Sequence, residues 1–366
     1  MLISTLVAFV SCKNQGNTNN RYHKLDKDLS ITLKWNKSYK EDTFKKNIIG
    51  LEWCLSYLGA TEVIKQRIAD TQNPYVKLQI DQLGFSSKAI ETFKKLHRKI
   101  KKSNEYQLNN AIDIGKYIVL TLGDPEKYFK ITGVPSNLKS LKEKYKLQEK
   151  KGYITNSSVS YVHRIISFSS QQNNSQAYIS EEIDSITKSP FEFETVEIME
   201  NAQLRFGVYD INGNLKNSAN SEITKAGKPG KCIWCHEVNI QPMFKDQIDM
   251  KGYLSTLDFQ DSLETVNTQL RTHQISLWKN PNFKEKQNHT FMELSYISFL
   301  EPSAEKIANE WNMPLIAVKE ILKNLQTHQH HEFNFLGDIY HRKEVDALAP
   351  FTTLATDVSV REAITN

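Results

Sequence analysis

Cysteine is scarce in this chain, with four residues in 366. That is far too few for a small scaffold stapled by disulfides. Long apolar runs are also missing. The most continuous one, residues 2–10, falls well short of the ~18 residues that a membrane-spanning helix needs. Charge of one sign is not in large excess: 47 basic against 42 acidic residues leave a formal net charge of +5, small for this length. No nucleophilic triad or paired-carboxylate motif stands out to suggest hydrolysis. A 39% hydrophobic and 24% charged composition is that of an ordinary globular protein. A chain of this size buries a substantial core and has room for two or three domains.

Two of the four cysteines stand two residues apart and directly before a histidine, in Cys232-Ile233-Trp234-Cys235-His236. With so few Cys and His, chance gives roughly one such string per thousand chains of this composition, and the spacing is that of covalent c-type haem attachment. Each thiol can add to one porphyrin vinyl group, and the adjacent imidazole falls under the iron as an axial ligand. Two other chemistries compete. A zinc site needs four N or S ligands, whereas Cys12 and Cys54 lie far from the pair, leaving His236 to complete a cramped set of three. A thioredoxin-like dithiol wants a strand before it and a helix opening at the first Cys, but residues 224–231 read as a turn-rich loop.

The motif resembles that of c-type cytochromes. The resemblance extends over about a dozen residues, through Pro242 and Met243, where such proteins place a proline and an apolar residue that close over the haem edge. It implies one covalent haem c held by Cys232 and Cys235, with His236 on the iron. It also implies attachment outside the cytoplasmic membrane. The N-terminus agrees: residues 2–10 read as a signal-peptide core, and Ser11-Cys12 followed by a polar tether resembles the cleavage site of bacterial lipoproteins. In that family Cys12 becomes the lipidated residue. Phe9 departs from the usual leucine, and no Lys or Arg precedes the apolar core. The competing reading is a buried N-terminal strand or helix. With Cys12 lipidated and two thiols on haem, Cys54 is a buried free cysteine and no structural disulfide is expected.

Periodicity predicts an α+β fold that is mostly α. Residues 1–20 form the signal peptide and tether, 21–151 a helical domain, 152–222 a small antiparallel β layer, and 223–366 a helical haem c region. Apolar residues at helical intervals mark 42–60, 86–100, 106–122 and 137–151. Alternating β-branched and aromatic residues mark strands at 161–168, 191–198 and 204–209, the last running into a turn at 210–214. Asp210, Asn212 and Asn214 imitate the start of a calcium loop, but the glycine comes early and no closing Glu follows, so a plain hairpin turn is expected. His163 reads as a structural histidine. Further helices are expected at 257–278 and 290–300, with a helix–turn–helix hairpin over 301–325. The basic run from Lys94 to Lys102 reads as a solvated helix face rather than a docking patch.

The least determined position is the sixth iron ligand. Met313, in a Met-Pro turn before a helix, resembles the ligand loop of class I cytochromes c; Met292, Met243, His273 and His289 are alternatives. The cluster His328, His330 and His331 reads as an exposed helix end rather than a metal site. The function expected is one-electron transfer by a single-haem cytochrome, lipid-anchored in the bacterial envelope, with a redox partner there and no nucleic-acid partner. The alternatives are a haem-dependent oxidoreductase or peroxidase with an open distal side, and a non-catalytic lipoprotein holding haem or zinc for structure alone.

Overall fold

The Thr43 hydroxyl accepts the Lys46 amide and opens helix α1 (Phe44–Tyr57) in the manner of an N-cap. Eleven of its fourteen residues are buried, so α1 is a central helix rather than a surface one. A second helix, α2 (Ser87–Lys101), is capped by Ser86 and buries only Ala89, Phe93, Leu96, His97 and Ile100. Its outer face carries the basic run, with Lys94 paired to Glu91 and Arg98 to Asp28. The structure is a computed structural model that describes residues 27–64, 74–170, 176–224, 227–236, 240, 246–278, 281–356 and 358. The expected signal peptide, tether and Cys12 lie outside these residues, as does Met243.

The fold is α+β, with a helical N-terminal part, a five-stranded antiparallel sheet and C-terminal helices. The N-terminal part also holds a three-stranded sheet that periodicity did not show. Strand β1 (Ser30–Lys34) pairs antiparallel with β2 (Tyr75–Gln79) and parallel with the two-residue β3 (Ile112–Asp113). The helix expected over 106–122 is therefore broken. Asn110 takes a left-handed conformation (φ 50°) that ends α3 (Asn104–Asn109), and Asp113 then caps α4 (Ile114–Leu122). Helix α5 (Pro125–Thr132) follows, and α6 (Leu138–Lys144) is half the expected length.

The larger sheet runs in sequence order: β4 (Gly152–Ile154), β5 (His163–Phe168), β6 (Ala177–Ile183), β7 (Pro190–Ile198) and β8 (Leu204–Asp210). Asp210 turns the chain as a plain turn, its carboxylate accepting the Asn214 amide at 2.8 Å. Because side chains alternate across a sheet, residues 195, 197, 205, 207 and 209 share one face. That face packs on α5 and α6: Tyr209 donates to Pro135 O, and Tyr145 donates to Glu197. The opposite face, through 164, 166, 178, 180, 194, 196 and 206, looks toward the cysteine motif.

After the sheet come α7 (Pro229–His236), the 22-residue α8 (Thr256–Leu277), and α9 (Thr290–Leu300). Helix α9 packs against both α1 and α4, and glycines permit the approach. A Cβ at Gly50 would lie 2.6 Å from Phe291 O, and one at Gly115 2.4 Å from Ser295 O. A hairpin of α10 (Ala304–Trp311) and α11 (Leu315–Leu322), then α12 (Arg342–Ala347), ends the described fold. One continuous apolar cluster runs from Ile31 to Leu300, and the α10–α12 region builds its own around Ile307, Trp311, Val318, Leu322 and Val345.

Candidate functional site

Cys232, Cys235 and His236 are the fourth, seventh and eighth residues of α7, where spacings of three and four residues bring side chains to one helix face. Cys232 is partly buried and Cys235 exposed, and neither is in a disulfide among the described residues. The helix sits against β8, and the His236 ring lies 5.1 Å from the ring of Phe206. On its other flank Trp234 meets Tyr296 of α9 edge-on, with centroids 5.4 Å apart. These two aromatic contacts fix the roll of α7 between the sheet and the C-terminal helices.

A cavity of about 590 Å³ opens beside this helix. One wall is α7, through Trp234, Cys235 and His236. The floor is the sheet face, through Arg164 and Ile166 of β5, Tyr178 and Ser180 of β6, and Glu194 and Val196 of β7. Phe259 and Leu263 of α8 form a third wall, and residues 156–159 edge the opening. Gly152 makes room for the α8 wall, since a Cβ there would meet the Phe259 ring at 2.3 Å. The volume lies within the range of about 300–1,000 Å³ typical of cofactor and small-molecule sites.

The floor is mixed in character. Arg164 is held between two carboxylates, 2.7 Å from Glu182 and 3.2 Å from Glu194. Burial pushes the Glu194 carboxyl up to about 7, with Glu182 and Glu192 adding to the rise and Arg164 opposing it. The Tyr178 hydroxyl is buried with no hydrogen-bond partner among the described residues, although it belongs to the cavity lining. A buried hydroxyl without a partner is costly, so this atom marks a place for a bound polar group.

Burial and spacing bear on the chemistries open to the motif. Burial raises the Cys232 thiol well above its ordinary value, and Glu194 and Cys235 add to the shift. A dithiol oxidoreductase needs the opposite, a thiolate stabilised near neutrality. Among the described residues, Cys232, Cys235 and His236 do not form a group whose ligand atoms all lie within 4.8 Å of one another. Of the motif, Cys235 and His236 line the adjoining cavity, and Cys232 is not among its lining residues.

The other ligand candidates are placed elsewhere. Met313 packs partly buried beside the separate α10–α12 cluster and is not among the cavity-lining residues. Its Met-Pro turn serves to join α10 to α11, with Asn312 left-handed at the helix end. Met292 is fully buried in the main core, and the buried His289 ring meets Trp53 edge-on at 6.3 Å. His163 pairs with the Tyr153 hydroxyl at 2.9 Å, a structural contact. Cys54 is buried, its sulfur 3.7 Å from the Thr121 hydroxyl, and burial pushes its thiol up to about 12. Sequence reasoning missed Arg164, Tyr178 and Glu194, which strand pairing alone brings opposite the motif. Compared with protein-family models, with curated proteins and with solved structures, the chain matches none of them.

Proposed function

We propose that this chain is a single-haem c-type cytochrome of the bacterial envelope that carries one electron at a time to or from a partner. The observation that carries this reading is the 590 Å³ cavity lined by Cys235 and His236 of the CxxCH helix on one side and a sheet on the other. Cys232 and Cys235 would hold the porphyrin covalently, and His236 would bind its iron. When bound, the haem supplies a metal that cycles between ferrous and ferric states. Ile166, Val196, Phe259 and Leu263 exclude water from the chamber, which favours the state of lower net charge. Phe206 and Trp234 hold the motif helix in place, so His236 is presented in one orientation. Export of the chain and lipidation at Cys12 belong to the same reading, because covalent haem is attached outside the cytoplasm.

A specific observation favours a second reading, a haem-dependent oxidoreductase. Glu194, titrating near neutrality beside Arg164 and the unpartnered Tyr178 hydroxyl, can hold or deliver a proton inside the cavity. Reduction of a bound small molecule uses such a group.

The test is a pyridine haemochrome spectrum of protein exported in a host with haem-maturation machinery, beside Cys232→Ala/Cys235→Ala. A c-type α-band that survives acid–acetone extraction and vanishes in the variant is expected. A colourless wild-type protein overturns the proposal. Given covalent haem, a low-spin spectrum indifferent to cyanide marks the carrier, and a high-spin spectrum that shifts with cyanide marks the oxidoreductase.

A further inference from the structure

Glu301, His328 and His341 come from three separate parts of the C-terminal region, yet each is pinned by main-chain pairing. Glu301 ends α9, its amide bonded to Ile297 O at 2.7 Å. His328 and Ile339 exchange both backbone bonds, at 3.0 and 3.1 Å, which draws the loop after α11 back on itself. The Tyr340 amide bonds to Pro302 O at 2.9 Å, and His341 then opens α12 by accepting the Glu344 and Val345 amides. The residues flanking all three side chains are thus tied to one another before the side chains are considered.

The side chains meet. One ligand atom from each lies within 4.8 Å of those of the other two. Glu301 Oε1 is 3.2 Å from His328 Nε2, and the His328 ring stacks on that of His341 with centroids 4.4 Å apart. The other carboxylate oxygen of Glu301 is buried with no hydrogen-bond partner, and no Lys or Arg pairs with Glu301 among the described residues. That buried carboxylate oxygen is an acceptor with no donor, an atom whose desolvation a bound cation would offset.

We propose that Glu301, His328 and His341 bind a divalent first-row transition cation of the zinc type. Two neutral imidazoles and one carboxylate are the borderline nitrogen–oxygen set that such ions take, while calcium and magnesium prefer oxygen alone. Metal–ligand bonds of about 2.0–2.1 Å set tetrahedral ligand atoms about 3.3 Å apart. The Glu301–His328 spacing already meets that figure, and rotation of the exposed His341 ring closes the rest. Three protein ligands leave a fourth position on the exposed His341 side, open to water or a small exogenous ligand. The ion also clips the 328–341 loop onto the end of α9. The neighbouring histidines take no part: His330 Nδ1 accepts the Glu332 and Phe333 amides, and His331 faces Glu332.

None of the three ligands lines the haem cavity, so the proposal stands apart from the cytochrome reading. The experiment is calorimetric titration of chelator-treated full-length protein with Zn²⁺. It compares the wild type with His341→Ala, Glu301→Gln and Cys232→Ser/Cys235→Ser, each checked for unchanged helicity. One ion per chain is expected in the wild type and in the cysteine variant. Binding should weaken by roughly 100-fold or more in either ligand variant, since even outer-shell changes cost 10–100-fold. Absence of binding in the wild type, equal binding in both ligand variants, or loss of binding in the cysteine variant overturns the proposal. The last outcome would assign the zinc to the CxxCH motif.

Discussion

Lys306 Nζ lies 2.9 Å from Asp113 Oδ2, and each side chain is only 4% exposed. The pair joins α10 to the start of α4, and Asp113 also accepts from Asn36 at 2.8 Å. Burial alone would raise the Asp113 carboxyl, but Lys306 and the hydrogen-bond donors outweigh it and hold it below its ordinary value. Lys306→Ala leaves that carboxylate buried without its counter-charge. The expected loss is about 3–5 kcal/mol in urea unfolding at neutral pH, with Lys306→Met/Asp113→Asn recovering much of it. An unchanged unfolding midpoint in Lys306→Ala would contradict this account.

Glu194 has the opposite sign. Its carboxyl is raised from 4.5 to about 7, so the folded state holds a proton there that the unfolded chain releases. Its contribution to stability is complete below pH 4.5 and is lost as pH rises through about 7. Glu194→Gln should remove this slope, so the variant gains on wild type in denaturation series run from pH 5 to pH 8. Parallel pH profiles for the two proteins would show that Glu194 is ionised throughout.

Gly115→Ala tests the packing of α9. Alanine improves helix propensity by about 1 kcal/mol, yet its Cβ would stand 2.4 Å from Ser295 O. Separating two packed helices costs about 1–3 kcal/mol, so the melting temperature should fall. A rise would mean that α4 and α9 do not approach this closely.

Tyr128→Phe addresses the strand beneath His236. The Tyr128 hydroxyl accepts the Phe206 amide at 3.0 Å, in the interior. Its removal strands a buried N–H and should cost about 1–3 kcal/mol. Amide hydrogen exchange at Phe206 should quicken, and an unaltered exchange rate there would count against the bond.

Much of this architecture was legible as periodicity. Helices α1, α2 and α8 through α11, and strands β5, β7 and β8, lie close to where the apolar spacing put them. The misses have physical causes. Strands β1 and β2 are five residues each, alternating but too short to stand out from lysine-rich surroundings. Strand β6 hides behind Glu181 and Glu182; Glu182 is fully buried, paired with Arg164 on the neighbouring strand and accepting from Ser160 and Ser180. The motif was legible because its chemistry is local, five residues long. The cavity floor was not, because Arg164, Tyr178 and Glu194 lie on three strands and share a site only through register. Likewise His328 finds its partners in Glu301 and His341 rather than in the adjacent histidines, a choice made by the His328–Ile339 bridge.

Every wall of the chamber comes from the stretch between Ile154 and Leu263, in a fixed order along the chain. The sheet that forms the floor is complete by Asp210, α7 brings the thiols at 232 and 235, and Phe259 and Leu263 of α8 come last. A chain emerging N-terminus first therefore builds the floor before the thiols appear. The thiols in turn precede the α8 wall along the chain. The last wall residue, Leu263, lies 27 positions past His236, so the chamber is closed by chain that follows the motif.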